Sequence, residues 1–137
     1  MLPKKYFDFI FILIMGFGMS LLMTLIITYI NTGMDNEYIN AIDKKDESTM
    51  SELLHDDFKF TMHKSGNTIG KADVIKWAMS GDINQDKARV VYENDEIGVH
   101  HSIVTFNDGN VEAVMAVYKY KDGKIISLET GATPMPK

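Results

Sequence analysis

The chain has 137 residues, enough for one domain and an appended segment but not for two separate hydrophobic cores. Its formal net charge of −5 argues against nucleic-acid binding, because no basic stripe is available to neutralise phosphates. Cysteine is absent, which excludes disulfides, thiolate metal sites and thiol nucleophiles.

The N-terminal segment is apolar. Residues 9–30 form a run of 22 residues without a charge. As an α-helix this run would be roughly 33 Å long, which matches the hydrocarbon layer of a bilayer. We predict that residues 1–33 are a membrane anchor with a transmembrane helix at about 9–30. The alternative is a cleaved signal peptide, but the run ends in TYINTGMD, without the small-residue pattern of a cleavage site.

The charges that flank this run predict its orientation. Lys4 and Lys5 precede it, whereas Asp35 and Glu37 follow it. The positive-inside rule therefore predicts a single-pass protein with a cytoplasmic N-terminus and an extracytoplasmic domain. The pattern LPKKYFDFIFILIMGFGMSLLMTLIITYINTG resembles the first span of a family of small, uncharacterised two-span bacterial membrane proteins. No second apolar run follows, so the chain is either a natural fusion or a membrane protein whose second half was replaced.

From residue 34 onward the periodicity changes. Apolar residues recur at helical spacing in three stretches, 38–42, 50–54 and 72–79, and Asp46 or Ser48 can cap the second helix. Helices first and hairpins afterwards predict one α+β domain, residues 34–137, with the helices on one face of the sheet. Alternation and turn residues predict strands at 58–62, 88–93, 97–106, 111–120 and 124–130.

Three segments carry a family resemblance over about residues 37–134: YINAIDKKDESTMSELLHDDFKF, GKADVIKW and KDGKIISLETGATP. Their order resembles the SnoaL-like (polyketide-cyclase-like) branch of the nuclear transport factor two-like superfamily. The resemblance implies a cone-shaped, curved antiparallel sheet packed on about three helices. It also implies a pocket with polar residues that orient a small, mostly apolar ligand, and a homodimer formed through the sheet.

Hairpin turns predict which residues face one another. The pairs DG at 108–109 and 122–123 and ND at 94–95 are typical of two-residue turns. Counting residues outward from each turn pairs Ala88 with His101, His101 with Ala116, and Ala116 with Glu129. Because side chains alternate along a strand, this row of four residues lies on a single face of the sheet.

We interpret His101 and Glu129 as the candidate catalytic pair, since both could lean across Ala116 toward a shared ligand and exchange protons with it. The alternative is that both are structural residues or that this face is solvated. A slip of one residue at any turn would swap the two faces.

Other positions are candidate ligand-binding residues. The hydroxyls of Tyr92 and Tyr118 could orient a carbonyl group. Trp77 stands off the apolar stripe of residues 72, 75 and 79, so it could roof the pocket, with core packing as the alternative. His63 could point into the pocket mouth, although its neighbours Lys64 to Gly66 suggest an exposed loop.

No cofactor and no metal site is expected. Adjacent His100 and His101 point to opposite faces of a strand and cannot share an ion. Residues 66–71 mimic a phosphate loop but are one residue short and lack the Ser or Thr.

The sequence therefore predicts a membrane-anchored protein with a pocket for a small, mostly apolar molecule, open to acid/base isomerase, cyclase or hydratase chemistry. One alternative is a non-catalytic ligand-binding or dimerisation module tethered to the membrane. Another is a membrane-associated accessory subunit. Whether the protein is an enzyme stays open.

Overall fold

The chain divides into two units, residues 1–32 and 33–137. The computed structural model describes residues 33–136. The predicted transmembrane helix lies outside these residues. Among the helices of residues 33–136, none combines the length and the apolar character that crossing a bilayer requires.

The described part is an α+β domain whose helices and strands follow the predicted order. Its sheet runs β2-β1-β6-β5-β4-β3. The helices are α1 (Met34–Lys44), α2 (Glu47–Leu53) and α3 (Lys71–Met79). The strands are β1 (Leu54–Met62), β2 (Asn67–Gly70), β3 (Asn84–Glu93), β4 (Ile97–Thr105), β5 (Val111–Lys121) and β6 (Lys124–Pro134).

The sheet is mixed, which corrects the antiparallel prediction. Strand β1 pairs with β6 in parallel, whereas the other neighbouring strands are antiparallel. Hairpin turns in the sequence reveal only pairings between consecutive strands, and the β1–β6 pair joins distant segments. Strand β2 was not predicted either, because residues 67–70 belong to the stretch that mimics a phosphate loop.

The hydrophobic core lies between the helices and one sheet face. Helix α3 contributes Val74 and Ala78 to it, and both are buried. Of the predicted stripe of residues 72, 75 and 79, Ile75 and Met79 pack against this core, whereas Ala72 is exposed. The other buried residues of this core come from α1, α2 and the three strands β1, β5 and β6: Tyr38, Ala41, Ile42, Met50, Leu54, Phe58, Phe60, Ala116, Tyr118, Ile125 and Leu128.

The turn between β4 and β5 has three residues. The backbone N–H of Phe106 donates to the carbonyl of Asn110 at 2.9 Å, and that of Gly109 donates to the carbonyl of Phe106 at 2.9 Å. Gly109 has φ 82°, the left-handed conformation that glycine adopts without a steric penalty. Three-residue hairpin loops commonly place glycine at this position. The predicted two-residue turn is therefore wrong by one residue.

The turn between β5 and β6 has the predicted two residues, Asp122 and Gly123, both with positive φ. The register then slips within β6, because Tyr120 faces Ile125 whereas Lys119 faces Ser127. Ile126 is the extra residue of this β-bulge. Such a bulge bends the strand and shifts all pairs beyond it by one.

The predicted row across the sheet is wrong at each of its pairs. His100, not His101, lies opposite Ala116, and His101 lies opposite Met115. Ala116 in turn lies opposite Thr130, and Glu129 opposite Val117. Arg89 rather than Ala88 faces His101, since the turn between β3 and β4 is centred on residues 95–96 and β3 contains bulges.

The N-terminus of α2 is capped by Asp46, one of the two predicted candidates. Its carboxylate accepts hydrogen bonds from the Thr49 backbone N–H at 3.0 Å and the Thr49 hydroxyl at 2.7 Å. These bonds hold the pKa of Asp46 below its usual value. The cap satisfies backbone donors that have no partner within the helix.

We predict that Asp46→Ala lowers the free energy of unfolding by about 1 kcal/mol, because the α2 cap is lost. The matched control is Ser48→Ala, the other sequence candidate, for which we expect a change within about 0.5 kcal/mol. Urea unfolding followed by circular dichroism measures both. Equal losses for the two variants would contradict the assignment of the cap to Asp46.

Candidate functional site

A cavity of about 330 Å³ lies between the sheet and the helices α1 and α3. Its apolar wall is formed by Ile42, Phe60, Met62, Trp77, Ile83, Val104, Phe106, Val114, Ala116, Leu128 and Ala132. Its polar lining residues are Tyr38, Lys64, Ser65, Gln85, His100, Ser102, Asp108, Asn110, Glu112, Tyr118 and Thr130.

Two polar side chains of β4 face the cavity side by side. His100 and Ser102 are two residues apart on the strand, so both point to the same face. They are only 4% and 1% exposed. Within residues 33–136, His100 Nδ1 and Ser102 Oγ are buried without a hydrogen-bond partner. Buried polar groups are usually paired, so these two unpaired atoms distinguish this part of the cavity wall.

His100 lies in an aromatic environment. Its ring stacks on Tyr118, with centroids 5.1 Å apart, and Tyr118 contacts Tyr38 edge-on at 5.5 Å. Burial lowers the pKa of His100 from 6.5 to about 4, with a smaller contribution from the charge of His101. His100 is therefore a neutral imidazole at neutral pH, with one donor and one acceptor nitrogen. Burial likewise raises the pKa of Tyr38.

The opposite end of the cavity is its mouth, defined by Lys64, Asp108, Asn110 and Glu112. Three of these residues are exposed, whereas Glu112 is buried. The Lys64 amino group donates to the Glu112 carboxylate. From the spacing of residues along a strand, Glu112 lies about 7 Å beyond the row of Ser102 and about 13 Å beyond that of His100.

Asp82 connects Trp77, which covers the cavity as its roof, to the turn between β4 and β5. Its carboxylate accepts hydrogen bonds from Trp77 Nε1 at 3.0 Å and from the Asn107 backbone N–H at 3.1 Å. These bonds keep the pKa of Asp82 below its usual value, the Trp77 bond contributing most. Trp77 also stacks on Phe60, with centroids 6.0 Å apart. The indole is thus fixed over the cavity from two sides.

The predicted site residues separate into two groups. Tyr118 and Trp77 line the cavity, whereas His63, Tyr92, His101 and Glu129 are not among the lining residues. His101 and Glu129 lie on the opposite sheet face, and their predicted catalytic role therefore loses its geometric basis.

Glu129 does have a histidine partner, but it is His63. Its Oε2 lies 3.1 Å from His63 Nε2, and the side chains are 45% and 58% exposed. Tyr92 is 55% exposed, and its hydroxyl accepts a hydrogen bond from Asn94 Nδ2 at 3.1 Å. Among residues 33–136 no group of three His, Asp or Glu side chains is arranged to hold a metal ion.

Sequence reasoning missed His100 and Ser102 because the register of β4 was displaced by one residue. Glu112 lies on the same face of β5 as Ala116, which was placed correctly on the pocket face, but Glu112 was not singled out. The predicted pairing placed His100 and Ser102 on the face away from the pocket. The sequence FNDGN contains the needed signal, since it also suits a three-residue loop with Gly109 in the left-handed position. No such local signal marks the bulge at Ile126.

The sequence matches a protein family over residues 4–80. The family is described as a domain of unknown function, DUF2798. The chain belongs to this family. The matched residues include α1, α2, β1, β2 and α3 and end before the hairpin ladder β3–β6. No protein with a curated description matches the sequence.

The fold is NTF2-like. The domain is similar to a candidate ketosteroid isomerase from Kribbella flavida DSM 17836, with TM-score 0.65, 14% identity and coverage of 76% of this chain and 78% of that chain. An NTF2-like protein of unknown function from Cytophaga hutchinsonii ATCC 33406 is similar with TM-score 0.63 and 14% identity, and the match covers 75% of this chain and 92% of that chain. An LEH-like epoxide hydrolase from M. tuberculosis is similar with TM-score 0.57 and 14% identity, and the match covers 73% of this chain and 80% of that chain. At these identities the similarity describes the fold alone.

We predict that the buried His100 makes stability depend on pH. The unfolded chain takes up this proton below a pKa of 6.5, whereas the folded domain takes it up only near 4. Stability is therefore lost as the pH falls from about 6.5 to 4, by up to about 3 kcal/mol from this group.

The measurement is the free energy of unfolding at pH 7 and pH 4. His100→Phe should remove this part of the loss, whereas His101→Gln, the matched change one residue away, should retain it. The assignment to His100 is wrong if the wild type and His100→Phe lose equal stability.

Proposed function

We propose that the domain binds a small, mostly apolar molecule in the cavity, with a hydrogen-bonding group of that molecule placed against His100 and Ser102. The observation that carries this proposal is that His100 and Ser102 line the cavity, and that each has a buried polar atom without a hydrogen-bond partner among residues 33–136. An unpaired buried polar group costs free energy, and a ligand that supplies a partner recovers it.

The end of the cavity formed by His100 and Ser102, here called the inner end, favours an uncharged ligand group. Ser102 offers a hydroxyl, and His100 is a neutral imidazole at neutral pH because burial lowers its pKa to about 4. A carbonyl oxygen could accept from either residue, and a hydroxyl could also donate to the imidazole. A charged group there would be desolvated without an opposite charge among the described lining residues at that end, which is unfavourable.

Binding is favoured over catalysis. Two of the similar structures are described as a candidate ketosteroid isomerase and an epoxide hydrolase, so isomerase-, cyclase- or hydratase-type chemistry is the second proposal. A histidine with a pKa of about 4 is a weak base at neutral pH. His100 therefore suits polarisation of a bound carbonyl better than removal of a proton. The more specific SnoaL-like assignment rests on the order of the sequence segments.

We further propose a homodimer through the sheet face opposite the cavity. This face carries partly exposed apolar side chains of β4 and β5, among them Val99, Ile103, Val117 and the 43% exposed Met115. Covering such a face removes apolar surface from water. Native mass spectrometry of the chain reports the oligomeric state, and a monomer at micromolar concentration would contradict the dimer.

Binding at the inner end is testable with a neutral ketone such as 2-hexanone. We predict that Ser102→Ala and His100→Phe each weaken its affinity roughly tenfold, as loss of one buried hydrogen bond implies. Binding is measured by chemical-shift perturbation in NMR titrations. His101→Gln, on the opposite face, is the matched control. Unchanged affinity in both cavity variants would show that the ketone does not bind at this end.

We also propose that residues 9–30 anchor the domain to a membrane, which the uncharged run of 22 residues supports. The full chain is expected in the membrane fraction of cells. A variant that lacks residues 1–32 is expected in the soluble fraction, with the circular-dichroism spectrum of a folded α+β domain. Recovery of the full chain in the soluble fraction would rule out the anchor.

A further inference from the structure

The mouth of the cavity contains a second polar position, the ion pair of Glu112 and Lys64. Glu112 is 6% exposed and lies on β5 between Val104 of β4 and Pro134 of β6. Its carboxylate faces the cavity and accepts a hydrogen bond from the Lys64 amino group. Among the described residues, Lys64 is the cation within ion-pair distance of this carboxylate.

The two partners differ in their freedom to move. Glu112 belongs to an inner strand and is packed between neighbours on both sides. Lys64 lies in the turn after β1, and its side chain is 54% exposed. A lysine amino group on a flexible four-carbon chain can rotate into water and regain its hydration. The charge that stays fixed at the mouth is therefore the negative one.

The surroundings add negative rather than positive charge. Asp108 also lines the cavity at this end, and its carboxylate accepts hydrogen bonds from the backbone and side chain of Asn110. If Lys64 moves away, two carboxylates and neutral groups face an incoming ligand. A buried carboxylate without a cation is costly, so the departure of Lys64 is favourable only when another cation takes its place.

We propose that Glu112 binds an ammonium group of the ligand, and that the Lys64 amino group occupies this position until the ligand displaces it. This inference rests on the proposed function, because it assigns the second polar end of the molecule that the cavity binds. Exchange of one ammonium for another keeps Glu112 paired throughout. A carboxylate at the same place would be repelled by Glu112 and Asp108.

The two polar ends define a ligand class. An uncharged hydrogen-bonding group lies at His100 and Ser102, an apolar body crosses the middle of the cavity, and an ammonium group lies at Glu112. The strand spacing separates the two ends by about 7 to 13 Å. A short amino alcohol or amino ketone has this arrangement of groups, and the cavity of about 330 Å³ is of the size that small-molecule sites have.

The experiment compares three probes with six carbon atoms each on the full chain: 1-hexanol, 6-aminohexan-1-ol and 6-hydroxyhexanoate. Dissociation constants are measured by NMR titration for the wild type, Glu112→Gln and Lys64→Met under identical conditions, so that partition of the probes into detergent cancels between variants. Glu52→Gln and Lys119→Met make the same chemical changes at exposed positions and serve as controls.

We expect Glu112→Gln to weaken binding of the amino alcohol roughly tenfold, as loss of a charged hydrogen bond implies, and to leave 1-hexanol unchanged. Lys64→Met should tighten binding of the amino alcohol, because the competing ammonium is gone. The variant Lys64→Met keeps the inference testable if Glu112→Gln fails to fold.

Two results would overturn the inference while leaving the proposed function intact. One is binding of 1-hexanol with no preference for the amino alcohol in the wild type or in Lys64→Met. The other is preference for 6-hydroxyhexanoate that Lys64→Met abolishes, which would make Lys64 an anion site. Failure of all three probes to bind wild type and Lys64→Met would instead count against the cavity as a ligand site.

Discussion

The parallel pairing of β1 with β6 is the contact on which the rest of the domain depends. It joins the first half of the domain, with its three helices and the β1–β2 hairpin, to the hairpin ladder β3–β6. Leu54 and Ile125 face each other in this pair, and both are fully buried. The cavity exists because this pairing places the helices over the ladder. Since the paired segments are some seventy residues apart in sequence (Leu54 and Ile125), the entropy of closing this loop must be overcome before the core can form.

The local elements could be predicted because each has a local physical cause. Asp46 caps α2 through bonds to a residue three positions away, and alternation of apolar residues marks β4 and β5. The turn at Asp122 and Gly123 follows from the ease with which these residues adopt positive φ. The β1–β6 pair could not be predicted in the same way, because no turn connects the two strands.

His100 and Ser102 were missed through an error of one residue in the register of β4. A sheet alternates its side chains with period two, so a turn of three residues instead of two exchanges the faces of a whole strand. That exchange moved His101 onto the predicted cavity wall, where His100 in fact lies. The bulge at Ile126 moved Glu129 in the same way. The cavity wall combines apolar and polar side chains in equal number, and the identities of the polar ones on β4 required the register.

Family membership and the candidate site concern largely different parts of the chain. The match covers residues 4–80, which include Lys64, whereas His100, Ser102 and Glu112 lie beyond it. The polar ends of the cavity are thus supplied by the ladder, while the roof with Trp77 comes from the matched part. A description of the family alone would therefore leave the chemistry of the cavity unaddressed.

The bulged outer strand β3 has a consequence for how the molecule meets others. An unpaired strand edge exposes backbone donors and acceptors that can recruit a strand of another molecule and start aggregation. In β3 the register shifts twice, Lys87 has φ 53°, and the charged Lys87 and Arg89 are exposed. A twisted, charged edge is a poor template for continuous pairing. Growth of the sheet from molecule to molecule is thereby discouraged on this side, and association through side chains is favoured over association through backbone.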